Sequence, residues 1–255
     1  MRRVAAVARN TFRETIRDHI LGVIVVFALL MIVGSLWLGS ISLEQEGRMV
    51  KDFGLVAVSA FGLIVTVFVA ASLVRKEVEK RTVFVLFSKP LGRGEFIFGK
   101  FLGLCLTMAA VMAGMGVFLF AVSWWVSKGA TPALLLAVAL VYVQLVVVMA
   151  VTILFSTVTS AVLATVLGIC TYFIGELSRN VLSLTNIAQD NPVLKAVAWA
   201  VFVLVPNLSA VDVRGKIVTG AAVDWAAVGA WTGYLLAYTV IVLLAAAAIF
   251  RRKEF

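Results

Sequence analysis

The sequence predicts an all-α polytopic membrane protein, a single transmembrane domain with six spans and both termini in the cytoplasm. Two observations lead to this fold class. Of the 255 residues, 63% are hydrophobic and only 14% are charged, and the apolar residues form long uncharged runs. Because soluble domains carry roughly a quarter charged residues, we expect this chain to lie in the lipid bilayer.

Residues 1–19 predict an amphipathic helix on the cytoplasmic membrane surface. Arg9, Arg13 and Arg17 recur at steps of four residues, and apolar residues recur at the same step on a neighbouring stripe. Residues four apart lie on one face of a helix, and arginines on such a face lie near lipid phosphates. We therefore assign Arg9, Arg13 and Arg17 to the lipid interface.

Uncharged runs mark the six spans. They cover residues 20–43, 53–74, 101–127, 129–175 and 225–250. A span needs about 20 residues at about 1.5 Å each, so the fourth run, with 47 residues, is long enough for two spans. The hydroxyl-rich residues 156–160 predict the turn between them. Spans 1 and 2 thus occupy residues 20–74, spans 3 to 5 occupy 101–176, and span 6 occupies 225–250.

The distribution of charge supports six spans with both termini inside. Residues 1–19, 75–100 and 251–255 together hold 15 of the 22 Lys and Arg residues, but 6 of the 13 Asp and Glu residues. An excess of basic residues is typical of cytoplasmic segments. Residues 177–224 then form the main extracytoplasmic segment. Within it, the uncharged residues 196–211 are too few to cross comfortably and contain Pro206-Asn207. A seventh span would also place the basic residues 251–253 outside, so residues 196–205 predict a re-entrant or interfacial helix.

The stretch 75–100 is the only long charged segment between two apolar runs. Its ten charged residues are too costly to place in hydrocarbon, so we expect a cytoplasmic loop. Residues 77–88 predict a short helix within it. Lys89-Pro90 ends this helix, because the residue before a proline is displaced from the helical region. A helical loop of mixed charge between two spans is suited to docking a soluble partner.

The sequence gives no support for a catalytic, cofactor or metal site in this chain. Residues 94–100 match the first part of a phosphate-binding loop, but Phe101 stands where that motif needs Ser or Thr. Cys105 and Cys170 lie in different apolar runs, so we expect free buried thiols. We expect neither enzymatic activity of the chain itself nor nucleic-acid binding.

Three polar residues are candidates for a translocation pathway. Glu176 and Arg179 lie at the outer end of the fifth span, where ionisable residues line a pathway or pair with each other three residues apart. We favour the pair. Gln144, in the fourth span, is more typical of an interhelical hydrogen bond than of a substrate ligand.

The order of these elements resembles the permease subunits of bacterial ATP-binding-cassette exporters of the type-two class, in particular six-span permeases encoded separately from their ATPase. The matching stretches extend over nearly the whole chain: ARNTFRETIRDHIL, EKRTVFVLFSKPLGRGEFIFGK, FSTVTSAVLA, PNLSAVDVRGKIVTG and IFRRKEF. The stretch at the start of the chain resembles the elbow helix of that family. The stretch between spans 2 and 3 resembles the family's coupling helix, which docks in a groove of the ATPase.

The resemblance implies a homodimer in the bacterial inner membrane, bound to two copies of a cytoplasmic ATPase that holds ATP and Mg²⁺. It implies ATP-driven export as the function. It assigns ATPase coupling to Glu77, Glu79, Lys80, Arg81, Ser88, Lys89, Pro90 and Arg93. Two alternatives stay open: the same motion acts on a periplasmic partner through residues 177–224, or the chain is a proton-coupled transporter with Glu176 as carrier.

Overall fold

The computed structural model of the protein describes residues 2–15, 21–41, 46–79, 93–127, 132–187 and 205–252. Its helices are α1 (Arg2–Thr15), α2 (Leu21–Ile41), α3 (Glu46–Glu79), α4 (Arg93–Ser127), α5 (Ala133–Val158), α6 (Ala161–Ile187), a 3-10 helix (Leu208–Val211), α7 (Arg214–Thr219) and α8 (Trp225–Arg252). These described residues include no strand. The prediction of an all-α membrane protein is confirmed.

Six helices account for the predicted spans. Five are long and apolar enough to cross a membrane: Gly47–Ser72, Gly94–Val126, Ala133–Val158, Ala161–Ser178 and Trp225–Phe250. The sixth is α2, which has 21 residues and no charged side chain. The break between α5 and α6 falls at Thr159 and Ser160, inside the predicted turn.

The helices α3 and α4 are longer than the apolar runs that predicted them. Helix α3 continues to Glu79 and α4 begins at Arg93, so both ends of the stretch 75–100 extend the spans instead of forming a loop. In α4 the cause is packing, since Phe96 and Ile97 are buried and therefore favour a helix ahead of the uncharged run. The rest of the predicted helix 77–88 lies outside the described residues.

Helix α1 packs closely across the start of α4. A Cβ atom at Gly99 would lie 2.8 Å from Cβ of Val7, and one at Gly103 would lie 2.6 Å from the backbone oxygen of Ala8. Both distances are shorter than any ordinary carbon contact, so only glycine permits this approach. The apolar face of α1 therefore contacts protein.

The opposite face of α1 carries the arginines. Arg9 and Arg13 are exposed, whereas Ala8 and Thr11 are buried. This division agrees with the predicted amphipathic helix, and the assignment of these arginines to lipid phosphates stays a prediction. Arg17 lies outside the described residues.

Helix α5 is the centre of the bundle. It contacts α3, α4, α6 and α8, and 67% of its most apolar stretch is buried inside the protein. Burial of most of its surface explains why an uncharged run with no polar stripe forms this helix. A polar side chain on α5 must find its partner inside the protein.

The two cysteines differ in their surroundings. Both are free, but Cys105 is half-buried on α4 and Cys170 is exposed on α6. The expectation of two buried thiols is therefore wrong for Cys170, which lies on the outward face of a span. An apolar run does not reveal which of its faces packs against protein.

Candidate functional site

Residues 205–219, which we call the inserted segment, enter the bundle from its distal end, the end opposite to α1 and the last turns of α8. The 3-10 helix packs against α5, α6 and α8, and α7 packs against α3 and α5. Leu208 and Val211 are fully buried. Backbone groups at membrane depth must find partners inside the protein, so polar contacts hold this segment in place.

Arg214 joins the inserted segment to two spans. Its Nη1 donates a hydrogen bond to Oγ of Ser59 on α3 at 2.8 Å, and its Nη2 pairs with the carboxylate of Glu176 on α6. Its Nε donates to Oδ1 of Asp212 at 2.8 Å. The Arg214 side chain is only 16% exposed. One guanidinium thus connects three parts of the chain that are distant in sequence.

The charge of Arg214 is stabilised by its two carboxylate partners. Burial disfavours the charged guanidinium, but the hydrogen bond to Asp212 and the negative charges of Glu176 and Asp212 outweigh it, so the pKa of Arg214 is raised above its ordinary value. Arg214 is thus a cation that its surroundings stabilise. A buried charge without its partner is costly, so the three charges hold one another in place.

Asn207 forms a second polar contact between the inserted segment and α6. Its Oδ1 accepts hydrogen bonds from Oγ of Ser178 at 2.7 Å, from Oγ of Ser209 at 2.8 Å and from the backbone N–H of Ala210 at 3.2 Å. The last bond caps the 3-10 helix. Asn207 thus fixes the start of this helix against the outer part of α6.

Gln144 holds the inserted segment from the central helix. Its Nε2 donates a hydrogen bond to the backbone oxygen of Leu208 at 2.9 Å, and the residue is 1% exposed. Its Oε1 is buried and has no hydrogen-bond partner among the described residues. We expected a hydrogen bond between spans at Gln144, and in the structure its partner is the inserted segment. The assignment of Gln144 to a translocation pathway stays a prediction.

The structure brings two of the three predicted pathway residues to one site, since Glu176 and Gln144 both contact the inserted segment. The side chain of Arg179 lies outside the described part of the chain, so its pairing with Glu176 stays a prediction. The sequence analysis missed Arg214, Asp212 and Asn207. The available signal was an Asp and an Arg two residues apart between apolar residues, in a segment that follows Pro206.

The predicted ATPase-coupling residues flank or fill the connection between α3 and α4. Glu77 and Glu79 lie in the last turns of α3, and Arg93 is the first residue of α4. Five of them lie outside the described residues: Lys80, Arg81, Ser88, Lys89 and Pro90. Their coupling role stays a prediction.

Helix α3 links this connection to the inserted segment. It is one α-helix of 34 residues, and Ser59 lies about 30 Å along it from Glu79 at the helical rise per residue. The partner of Arg214 and the start of the predicted coupling loop therefore belong to one continuous helix.

The fold and the inserted segment define a multi-pass α-helical membrane protein with a polar anchor inside the bundle. The chain belongs to the ABC-2 family transporter proteins, whose family model matches residues 5–255. It therefore has the general role of a permease component of an ATP-binding-cassette transporter. No curated protein matches the chain.

Proposed function

We propose that this chain is the permease subunit of an ATP-driven exporter in the bacterial inner membrane, with both termini in the cytoplasm. A homodimer of the chain binds two copies of a separate ATPase, which holds ATP and Mg²⁺. The membership of the ABC-2 family and the mixed charge of residues 75–100 support this proposal. In this proposal the chain forms the transmembrane helices that move during transport.

The observation that carries the proposal is the uninterrupted α3 between the loop and Ser59. Closure of the ATPase pair displaces the loop, and α3 moves with it. Because Ser59 accepts a hydrogen bond from Arg214, the displacement reaches the inserted segment at the distal end. We propose that this segment closes the outer end of the translocation path and opens when α3 moves.

Helix α4, which follows the loop, acts on the end of the bundle that carries α1 and the last turns of α8. Helix α4 begins at the loop, and the ring of Phe96 stacks on that of Phe250 in α8 with centroids 6.5 Å apart. The contact of Gly99 with Val7 joins α1 to the same unit. A single displacement of the loop thus moves α1, α4 and α8 together while α3 acts on the inserted segment.

The test is a pull-down from detergent-solubilised membranes. A soluble cassette ATPase is expected to copurify with the native chain and to be lost from the variant with Glu79→Lys and Arg81→Glu, because Glu79 ends α3 and both residues are predicted to contact the ATPase. The control is Arg48→Glu, a charge reversal at an exposed position near the other end of α3, which retains the ATPase. Retention by the double variant would contradict the coupling assignment, and absence of any ATPase under crosslinking would contradict the proposal itself.

An extracytoplasmic partner is the second candidate function, and one observation favours it. Helix α7 presents the exposed residues Gly215, Lys216 and Thr219, while Arg214 fixes the helix to the bundle. A partner bound to this face receives the motion of the inserted segment directly. In that case Lys216→Glu abolishes activity in cells without changing ATPase binding, whereas the exporter tolerates this substitution.

Proton coupling through Glu176 has less support. A proton carrier must release its charged partner in each cycle, and the Glu176 carboxylate is paired with the guanidinium of Arg214. The pair is better suited to a structural anchor. Loss of transport in Glu176→Gln with ATPase coupling and folding intact would instead favour the carrier.

A further inference from the structure

Glycines of α4 and of α3 allow two close helix contacts that differ in kind. The first lies at the terminal end of the bundle, the end that carries α1 and the last turns of α8. There a Cβ atom at Gly103 of α4 would lie 2.6 Å from the backbone oxygen of Ala8 and 2.7 Å from Cβ of Thr11 in α1. These atoms cannot move unless α1 itself moves. The register of α1 on α4 is therefore fixed.

The second contact, where α3 meets α4, is made by the ends of side chains. A Cβ atom at Gly62 of α3 would lie 3.1 Å from Sδ of Met112 in α4. One at Gly54 of α3 would meet the Cδ1 atom of Leu119 in α4 and would lie 3.0 Å from Cε of Met31 in α2. All three neighbouring atoms are at the far end of flexible side chains, which can change rotamer while the backbones stay in place.

Methionine recurs along the face of α4 that contacts Gly62. Met108, Met112 and Met115 follow one another at steps of four and three residues, so they lie on one face of the helix. All three are at most 2% exposed. Because methionine is unbranched and has three rotatable bonds, it adapts its shape to a neighbour that changes position.

Glycine removes the ridges of α3 from the same contact. Side chains on a helix form ridges that fit into the grooves of a neighbouring helix, and this fit sets how the two helices pack. At Gly54 and Gly62, α3 has no side chain to insert between those of α4. A smooth backbone against adaptable side chains permits a small displacement along the helix axis with little loss of contact.

We propose that α3 slides along α4 at this contact, while α1 and α4 keep their register. We call the contact the glycine–methionine seam, and it consists of Gly54, Gly62, Met31, Met112 and Leu119. Sliding of packed helices is one of the ways in which proteins change conformation. Here it carries Ser59, the partner of Arg214, past α4. That use of the movement rests on the proposed ATP-driven function, whereas the seam is a property of this chain alone.

The first test uses cysteine pairs in the chain alone, in nanodiscs, with Cys105→Ser and Cys170→Ser as the background. A disulfide needs Cβ atoms about 3.5–4.5 Å apart, so its formation reports the register of two helices. Gly54→Cys is combined with Leu119→Cys, which faces it, or with Met115→Cys one turn further along α4. The shifted pair also carries Leu119→Ala, so that position 54 has space in both. If α3 slides, the shifted disulfide forms within tenfold of the rate of the facing one.

The control is the same measurement at the contact of α1 with α4. A disulfide is expected between Gly99→Cys and Val7→Cys, because a Cβ atom at Gly99 would lie 2.8 Å from Cβ of Val7. The shifted pair is Gly99→Cys with Thr11→Cys, one turn along α1, in a chain that carries Val7→Ala. We expect it to react at least a hundredfold more slowly than the facing pair. Equal selectivity for the facing pair at both contacts would overturn the proposal.

The second test removes the adaptable side chain. Met112→Ile keeps an apolar residue of similar size but makes it stiff at χ1. We expect it to slow the shifted disulfide of α3 and α4 at least fivefold and to leave the facing one unchanged. The control Met49→Ile, at an exposed position near the start of α3, changes neither rate. Unchanged rates with Met112→Ile would contradict the role of methionine in the seam.

A distance measurement needs no substitution of glycine, so the proposal stays testable if Gly54→Cys fails to fold. Spin labels at the exposed positions Val56 of α3 and Val117 of α4 are expected to give a distance distribution at least twice as broad as labels at Arg13 of α1 and Leu106 of α4, which are also exposed. Met112→Ile narrows only the first distribution. Equal widths in the native chain would mean that α3 does not slide.

The last test concerns the use of the seam in the complex with the copurified ATPase. Oxidation of the pair Gly54→Cys and Leu119→Cys is expected to lower ATP turnover at least fivefold, and reduction of the disulfide restores it. The disulfide between Gly99→Cys and Val7→Cys retains at least half of the turnover, because that contact keeps its register. Inhibition by both disulfides, or by neither, would contradict sliding in the ATP-driven cycle. If no ATPase copurifies, the proposed function fails, and the cysteine pairs in the chain alone still decide whether the seam slides.

Discussion

The two ends of the bundle are stabilised by different kinds of contact. At the distal end, the inserted segment is fixed by hydrogen bonds and an ion pair from Ser59, Gln144 and Glu176. At the terminal end, α1 is fixed by close packing, with Gly99 and Gly103 of α4 in direct contact with it. One end uses a few directional contacts and the other uses a continuous packed surface.

This difference indicates which end rearranges. A polar contact can be exchanged for another one, or for water, so the proposed outward movement of the inserted segment needs the exchange of only a few contacts. A closely packed surface is hardly compressible and transmits displacement to its neighbours, so it resists separation. We therefore expect the terminal end to move as one body and the distal end to open and close.

The largest expected effect is at Arg214. Arg214→Leu leaves the carboxylates of Glu176 and Asp212, which are 22% and 25% exposed, without their guanidinium partner. Removing one member of a buried charge pair costs about 3–5 kcal/mol, so we expect a corresponding loss of unfolding free energy. The inserted segment should then leave the bundle. Labelling of Leu208→Cys with a membrane-impermeant maleimide in the Arg214→Leu background measures this release.

A matched control lies on the same short helix. Lys216 is exposed, so Lys216→Leu is expected to change stability by at most about 0.5 kcal/mol and to leave position 208 protected. Adding Glu176→Leu to Arg214→Leu should restore part of the stability, because it removes one uncompensated charge. Equal behaviour of Arg214→Leu and Lys216→Leu would mean that the ion pair does not anchor the segment.

An intermediate effect is expected at Gly103. The Cβ of Gly103→Val would lie 2.6 Å from the backbone oxygen of Ala8 and 2.7 Å from Cβ of Thr11, so α1 must move away. Overpacking of this kind costs about 1–3 kcal/mol. We expect a lower unfolding temperature and faster tryptic cleavage at the arginines of α1, while the distal site stays closed.

Gly229 is the control for this substitution. A Cβ atom at Gly229 has no neighbour within 4 Å in the described part of the chain, so Gly229→Val leaves α1 protected. If both valine variants behave alike, or if Gly103→Val releases the inserted segment, the two ends are not held independently and the comparison fails.

The sequence predicts the spans well because hydrophobic runs are a local signal. It does not predict the anchor, because the contact between Ser59 and Arg214 joins residues 155 positions apart, and no periodicity encodes such a distance. The four-residue spacing of Gly99 and Gly103 indicates close packing but does not identify α1 as the partner. From charge and spacing, the sequence suggests Arg179 as the ion-pair partner of Glu176, whereas the structure shows Glu176 paired with Arg214.

The smallest expected effect is at Gln144. It compares a neutral hydrogen bond with the ion pair, both at the distal end. Gln144→Leu removes the hydrogen bond to the Leu208 oxygen at 2.9 Å, which costs about 1–3 kcal/mol for the acceptor left unpaired. It also removes the buried Oε1, which lacks a hydrogen-bond partner among the described residues and which itself is costly to bury. The two terms largely cancel, so we expect a change in unfolding free energy within about 1 kcal/mol and a protected position 208. Thermal unfolding of Gln144→Leu, compared with that of Arg214→Leu, measures this change in unfolding free energy. A loss as large as that of Arg214→Leu would show that neutral hydrogen bonds, and not the charges, hold the inserted segment.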